Sequence, residues 1–372
     1  MIYGIAILII ITAIYFITIV RIILGFNKMK SKKDVILKTN ESPKISVIIP
    51  FRNEEVNLQN CLESFQNQNF DINHFEIILV NDHSNDKSVQ IVENFIQNSD
   101  LSIRLTSLVE KTSKKEALKV GIELAQNPII ATTDADCIVS NNWLQSIAVN
   151  FSNKKDMLLG PVLFSKSVGF LAAFQSLDMF AIQGVEFGAL GFNQPILNNA
   201  ANLSYSKKAF SKVGGFDSFD TPSGDDIFLL EKFKSKGLKI NGVLSNDFLV
   251  ETQPEKTWSS FFNQRVRWSS KSKHYSDKFL LFISGLILIQ NIALLFIYLG
   301  ILLVEKHCLT FLFLLLTKWL IDFILLFLVA SFFKRKSTMF YFIPVQLVYP
   351  IYVITVWIAS VLLSFEWKGR KY

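Results

Sequence analysis

The sequence predicts a doubly wound α/β domain set among apolar α-helical transmembrane segments, and three observations carry that reading. Hydrophobic residues make up 50% of the 372, yet they crowd into one block at the start and a larger one at the end. The middle alternates short β-branched runs with stretches of helical periodicity, the pattern of a parallel sheet covered by helices. Acidic residues then fall where those β-branched runs stop.

Residues 2–26 are nearly all apolar, with only Arg21 charged. At about 1.5 Å per residue they exceed a hydrocarbon core of roughly 30 Å, so an N-terminal anchor over 1–27 is expected. No cationic segment precedes the run and no small-residue cleavage site follows it, which favours a retained helix over a signal peptide. Lys28, Lys30, Lys32 and Lys33 open a basic linker over 28–43, and the positive-inside rule then places the following domain in the cytoplasm.

That domain occupies 44–256. Residues 44–50, 76–81 and 128–133 (KISVIIP, EIILVN, PIIATT) read as buried parallel strands. Helical stretches separate them: 54–68 carries Val56, Leu58, Leu62 and Phe65 on one face, and 115–125 carries Leu118, Ile122 and Ala125. In such sheets ligands sit at the carboxyl ends of the strands, where Phe51, Arg52, Asn53 and Glu54, then Asp82, then Asp134 fall. Neither a Walker loop nor GxGxxG occurs, so P-loop and dinucleotide chemistry have no support. Within 160–191, Phe170, Phe174, Leu177 and Phe180 make an apolar stripe that fits either core packing or a membrane surface.

Residues 257–278 form a basic amphipathic helix, and three apolar segments follow within 279–366, at about 279–303, 309–333 and 340–364. Each must be helical, because lipid satisfies no bare amide. Lys318 and Asp322, four apart, are placed to pair on one helix face. Three full spans would put Lys368, Arg370 and Lys371 of the basic tail (367–372) outside, against the positive-inside rule. Either the rule fails there or one segment is re-entrant, and Pro344 and Pro350 single out the last as irregular.

Cys61, Cys137 and Cys308 show no paired spacing and the four histidines are scattered, so neither a disulfide framework nor a zinc or histidine metal centre is expected. The net charge of +7 lies mostly beside membrane segments, which suits anionic lipid and not nucleic acid.

The chemistry concentrates in six segments. PFRNEE (50–55) turns from strand to helix, where unpaired amides favour a polar or anionic ligand. VNDHSND places Asp82 at a second strand end, and SKKEAL places Lys114 at a helix start. Asp134-Ala135-Asp136 can turn two carboxylates toward one Mg²⁺ or Mn²⁺, which takes such ligands together with diphosphate oxygens. SGDDIFLL puts Asp225 and Asp226 at a helix start, where the ionised form is favoured and a general base can work. Gln264-Arg265-Val266-Arg267-Trp268 supplies a guanidinium that can fork onto phosphate and an indole that can stack on a ring.

In this order, from about 44 to 268, the motifs resemble glycosyltransferase family 2 in its membrane-bound branch with DxD and QxxRW. The resemblance implies a GT-A (Rossmann-like) fold, a nucleoside-diphosphate sugar as donor and a lipid or membrane-linked glycan as acceptor. It assigns the donor to Phe51, Arg52, Glu54, Asp82, Lys114, Asp134 and Asn202, and a divalent metal to Asp136 and Asp134. Asp226 becomes the base of an inverting transfer with Asp225 in support, while Gln264 and Arg267 face the diphosphate and Trp268 the acceptor. Asn81 stands where the family more often has Asp, and Asp225 where it usually has Glu. The location it implies is a bacterial inner membrane. Single transfer and processive polysaccharide synthesis both remain open, as does a non-catalytic scaffold or sensor that keeps the fold. The ending Trp367-Lys368-Gly369-Arg370 also resembles one common in this branch.

Overall fold

The computed structural model describes residues 2–31, 43–110, 112–151, 155–217, 225–363, 366–367 and 370–371. A seven-stranded sheet forms its centre, in the order β3-β2-β1-β4-β8-β6-β9. Its strands are β1 (Ile45–Phe51), β2 (Phe75–Asn81), β3 (Ile103–Ser107), β4 (Ile129–Thr132), β6 (Met157–Leu159), β8 (Leu203–Ser206) and β9 (Ile240–Gly242). Strands β3, β2, β1 and β4 run parallel, and β8 lies antiparallel to β4 and β6. A smaller sheet joins β5 (Cys137–Val139), β10 (Val250–Thr252) and β7 (Val162–Phe164). β1 and β2 are buried at every position, as β-branched runs covered on both faces should be.

Helices α2 (Leu58–Gln66), α3 (Ser88–Gln97), α4 (Lys114–Leu124) and α5 (Trp143–Phe151) complete the first half. The first begins later than its periodicity suggests, because Glu54 closes a turn by accepting from the amides of Asn57 and Leu58 at 2.9 and 3.0 Å. The second half adds α6 (Phe170–Leu190), α7 (Lys207–Lys212), α8 (Asp225–Ser235) and α9 (Trp258–Ser270). Since α6 is buried along nearly all its length, core packing is the observed role of its apolar stripe.

Among the described residues, four helical stretches are long and apolar enough to cross a membrane. They contain α1 (Ile2–Lys30), α10 (Lys278–Leu303), α11 (Cys308–Phe332) and α12 (Phe342–Leu362). Lys318 and Asp322 pair at 2.7 Å, and Tyr15 of α1 donates to the same carboxylate at 2.7 Å. Such pairing offsets the cost of charge among apolar helices. A single core continues from Ile22 and Phe26 of α1 through Phe187 of α6 to Ile48 and Ile78 of the sheet and Leu325 of α11. Glycines let α1 and α6 touch backbone to backbone: a Cβ on Gly25 would lie 1.9 Å from the Gly188 carbonyl oxygen.

The last helix corrects one expectation. α12 is unbroken through Pro350, and Pro344 falls in its first turn, where no intrahelical donor is missed. Its path is nonetheless unusual, because both ends touch helices of the α/β domain. Tyr341, just before it, packs on Phe170 of α6 at 6.3 Å between ring centroids. At the other end Ser269 of α9 donates to Ser360 at 3.1 Å, and Lys273 donates to the Val361 carbonyl at 3.3 Å.

Candidate active site

The carboxyl ends of β1, β2 and β4 open on a cavity of about 360 Å³ whose other walls come from α6, α8 and α9. At the β1 end, Arg52 donates to the Asp82 carbonyl at 2.9 Å and stands 4.0 Å from its carboxylate. Asn53 and His83, at φ 51° and 55°, turn the chain out of β1 and β2 in the left-handed region, which Asn and His enter more readily than most residues. The turns clamp each other. The amides of Asn53, Glu54 and Glu55 donate to the side chains of Ser84, Ser88 and Asp86 at 3.0, 2.8 and 3.1 Å. Asn53 and Glu55 in turn accept from the amides of Asn85 and Lys87. The unpaired amides expected at this helix start are therefore already used inside the protein, and side chains line the cavity in their place.

Asp134 and Asp136 follow β4 and are partly buried. Lys114, the first residue of α4, lies 2.5 Å from Asp134. Asp136 accepts from the Thr252 hydroxyl at 3.2 Å. Burial, then the charges of Asp134 and Glu54, push its carboxyl up to about 6. Among the described residues, no three His, Cys, Asp or Glu side chains are grouped to hold a metal. Two carboxylates can still hold a small divalent cation when other oxygens complete its shell.

Asp226, second in α8, lies across the cavity. Its carboxylate accepts from the amides of Ile227 at 2.9 Å and Ala200 at 3.3 Å and sits 3.5 Å from Lys271. Burial would raise this carboxyl, but Lys271, the Ile227 amide and Lys114 outweigh it and hold the group below the usual carboxylate range. The Asp225 side chain lies outside what the structure describes.

From α9, Gln264 donates to Glu255 at 3.1 Å. Burial lowers the Arg267 guanidinium, while Asp134, Asp226 and Glu255 pull the other way, so this cation stands between the two carboxylate stations. Trp268 takes the Arg265 guanidinium over its ring at 4.1 Å. Arg265 is anchored by Asp178 of α6 at 2.8 Å, and Asp178 accepts from Tyr349 of α12 at 2.8 Å. A chain of contacts thus runs from α12 to the indole.

The cavity brings together Phe51, Arg52, Glu54, Asp82, Lys114, Asp134, Asp136, Asp226, Gln264, Arg267 and Trp268. Asn202 is not among them, which corrects its assignment to a sugar. Its amide is spent in the core, accepting from Trp143 at 2.9 Å and donating to the Pro161 and Phe248 carbonyls at 2.9 and 2.6 Å. Sequence reasoning missed Lys271, Gln183, Glu186, Asn198 and Thr252 on the cavity wall. One helical turn separates Lys271 from Arg267, a spacing that could have found it. The others carry no comparable signal.

Residues 46–214 match the model of Glycosyl transferase family 2. "Probable glycosyltransferase YdaM" of Bacillus subtilis is 25% identical over 246 residues, 64% of this chain and 58% of that protein. Glycosyltransferase AglE of Haloferax volcanii is 29% identical over 188 residues, 50% of this chain and 60% of that protein. The chain thus spans about 58–60% of the length of these two curated relatives. Among solved structures, the mannosyltransferase PcManGT from Pyrobaculum calidifontis, in complex with GDP-Man and Mn²⁺, superposes with a TM-score of 0.65 at 16% identity. That match covers 96% of this chain and 99% of the other, and it is a likeness of fold. Together these findings make residues 46–214 a glycosyltransferase family 2 domain on a Rossmann-like GT-A fold, joined to four helices long enough and apolar enough to span a membrane.

Proposed function

We propose that this chain is a membrane-embedded, metal-dependent, inverting glycosyltransferase that moves a sugar from a nucleoside-diphosphate sugar to a lipid or membrane-linked glycan. The supporting observation is the single cavity in which strand-end carboxylates face Arg267, Trp268 and Lys271, beside helices suited to a membrane. Asp82 and Arg52 take the nucleoside end. Lys114 and Arg267 take the diphosphate, and Trp268 offers its indole to the acceptor. The Asp134–Asp136 pair fits a Mg²⁺ or Mn²⁺ ion: burial and then the charges of Asp134 and Glu54 push Asp136 up to about 6, and a cation would offset both. When bound, that ion neutralises the departing diphosphate.

Asp226 receives the proton of the acceptor hydroxyl as its oxygen bonds to the anomeric carbon and the bond to diphosphate breaks on the opposite face. Lys271 keeps Asp226 ionised for that task. The domain faces the cytoplasm of a bacterial inner membrane, and the tail after α12 lies on the same side because both ends of that helix meet the domain. That placement would reconcile the charge of the tail with the parity of the segments before it. A cysteine introduced near residue 371 should resist impermeant reagents in intact cells, and labelling without permeabilisation would overturn that placement.

The reaction is tested with the whole chain in lipid nanodiscs, a panel of nucleotide sugars, Mn²⁺ or Mg²⁺, and a bacterial lipid extract. One donor should release nucleoside diphosphate in step with sugar appearing in the lipid fraction. Consumption of no donor across the panel sinks the reading.

A further inference from the structure

Glu186 of α6 is 1% exposed, yet it stands on the cavity wall among Met179, Ile182 and Leu197. Its bonding is one-sided. Gln183, one turn earlier, accepts the Val162 amide at 3.1 Å through its oxygen, so its nitrogen must face Glu186, and it donates to Oε2 at 2.8 Å. Oε1 is buried and has no hydrogen-bond partner. Burial, aided by the charge of Asp226 and only partly opposed by Gln183, raises this carboxyl well above its usual range. Burial thus favours the protonated form, and with Oε2 accepting, its proton belongs on Oε1.

Asn198 supplies the complement. It too lines the cavity, its nitrogen donates to the Asp226 carbonyl at 3.0 Å, and its buried Oδ1 has no partner. The wall beside the proposed base thus offers one unused donor and one unused acceptor. Leaving such groups buried and unpaired costs stability, so they are candidates for ligand contacts. A hydroxyl both accepts and donates, and matches the pair. A phosphate oxygen only accepts, and would leave Asn198 Oδ1 facing lone pairs.

We propose that Glu186 and Asn198 form a hydroxyl-binding subsite that selects a sugar ring by its secondary hydroxyls and holds it beside Asp226. This rests on the glycosyltransferase reading and specifies its substrate contacts. The ring is either that of the donor or that of a glycosylated acceptor, and the experiment separates the two.

The whole chain in nanodiscs is assayed for binding of GDP-mannose and UDP-N-acetylglucosamine, of the matching nucleoside diphosphates, and of octyl glucoside as an acceptor probe. Glu186→Met should weaken one sugar-bearing ligand on the order of 10-fold while leaving the bare diphosphates unchanged. Glu186→Gln keeps an uncharged donor and should restore most of that loss, which a purely structural role would not require. Asn198→Ala should weaken the same ligand. Weaker nucleotide-sugar binding places the donor ring here, and weaker glycoside binding places the acceptor ring here. Wild-type affinities in Glu186→Met for every ligand, with or without a lower melting temperature, overturn the subsite. A wild-type protein that binds these sugars but transfers none sinks the reaction and not the subsite, whereas binding none of them overturns both.

Discussion

Asp136 and Asp226 share one cavity and are prepared in opposite ways. Burial, then the charges of Asp134 and Glu54, push the Asp136 carboxyl up to about 6. Asp226 is just as enclosed, yet Lys271 and the Ile227 and Ala200 amides hold it below the usual range. On the proposed reading, the contrast separates two tasks that both need carboxylates. A base must stay ionised through every turnover, so its compensating charge is built into the protein. A station for a cation keeps part of its charge uncompensated until that cation arrives: Lys114 pairs with Asp134, and Asp136 still stays raised.

The largest expected effect is at the first station. Asp136→Ala should reduce transfer by about 1000-fold or more and abolish metal-dependent donor binding without loss of fold, because one partly buried carboxylate contributes little to packing. Full activity in excess chelator would remove the metal from the comparison altogether.

At the second station, Asp226→Asn keeps the shape but cannot take a proton, so transfer should fall by roughly 100-fold or more while donor affinity is retained. Asp225→Asn should do less damage. If the two variants behave the other way round, the base has been assigned to the wrong neighbour. Lys271→Met sharpens the point: without its cation the Asp226 carboxyl rises, and the acid limb of the pH–rate profile should move to higher pH. An unmoved limb would show that Lys271 does not set the base.

The smallest effect is on stability without metal. The folded state raises Asp136 from 3.8 to about 6, so the charged form costs stability above pH 6, and the cost fades as pH falls through 6. Chelated Asp136→Asn should therefore be more stable than the parent at pH 8, by about 1–3 kcal/mol after allowing for partial exposure, and nearly equal at pH 4. Asp226→Asn should instead be destabilised at pH 8, since it strips Lys271 of its partner. Thermal melts of the two variants check the opposite signs.

Which features were legible in the sequence follows from how local their causes are. β1, β2 and β4 announce themselves through continuous β-branched runs, and the turns after them must carry Arg52, Asp82 and Asp134 wherever the sheet is assembled. The apolar helices are equally plain, because length and composition alone define them. Asn202 misled because its neighbours Asn199, Ala200 and Ala201 do line the cavity, while a glycine elsewhere decides its direction. A Cβ on Gly160 would sit 2.3 Å from the Asn202 nitrogen, so that distant residue makes the room for Asn202 to turn inward. The contacts at the two ends of α12 depend likewise on partners far along the chain, and no spacing encodes them.

The glycine contact between α1 and α6 makes the N-terminal helix a wall of the domain. Gly25 and Gly191 approach so closely that a Cβ on Gly191 would lie 2.1 Å from the Gly25 oxygen. α1 also contributes Ile19, Ile22, Phe26 and Met29 to the core that α6 shares with the sheet. The apolar helices and the α/β domain are therefore expected to melt together in a single transition, and trimming α1 to gain solubility would expose the surface on which the cavity's own wall rests.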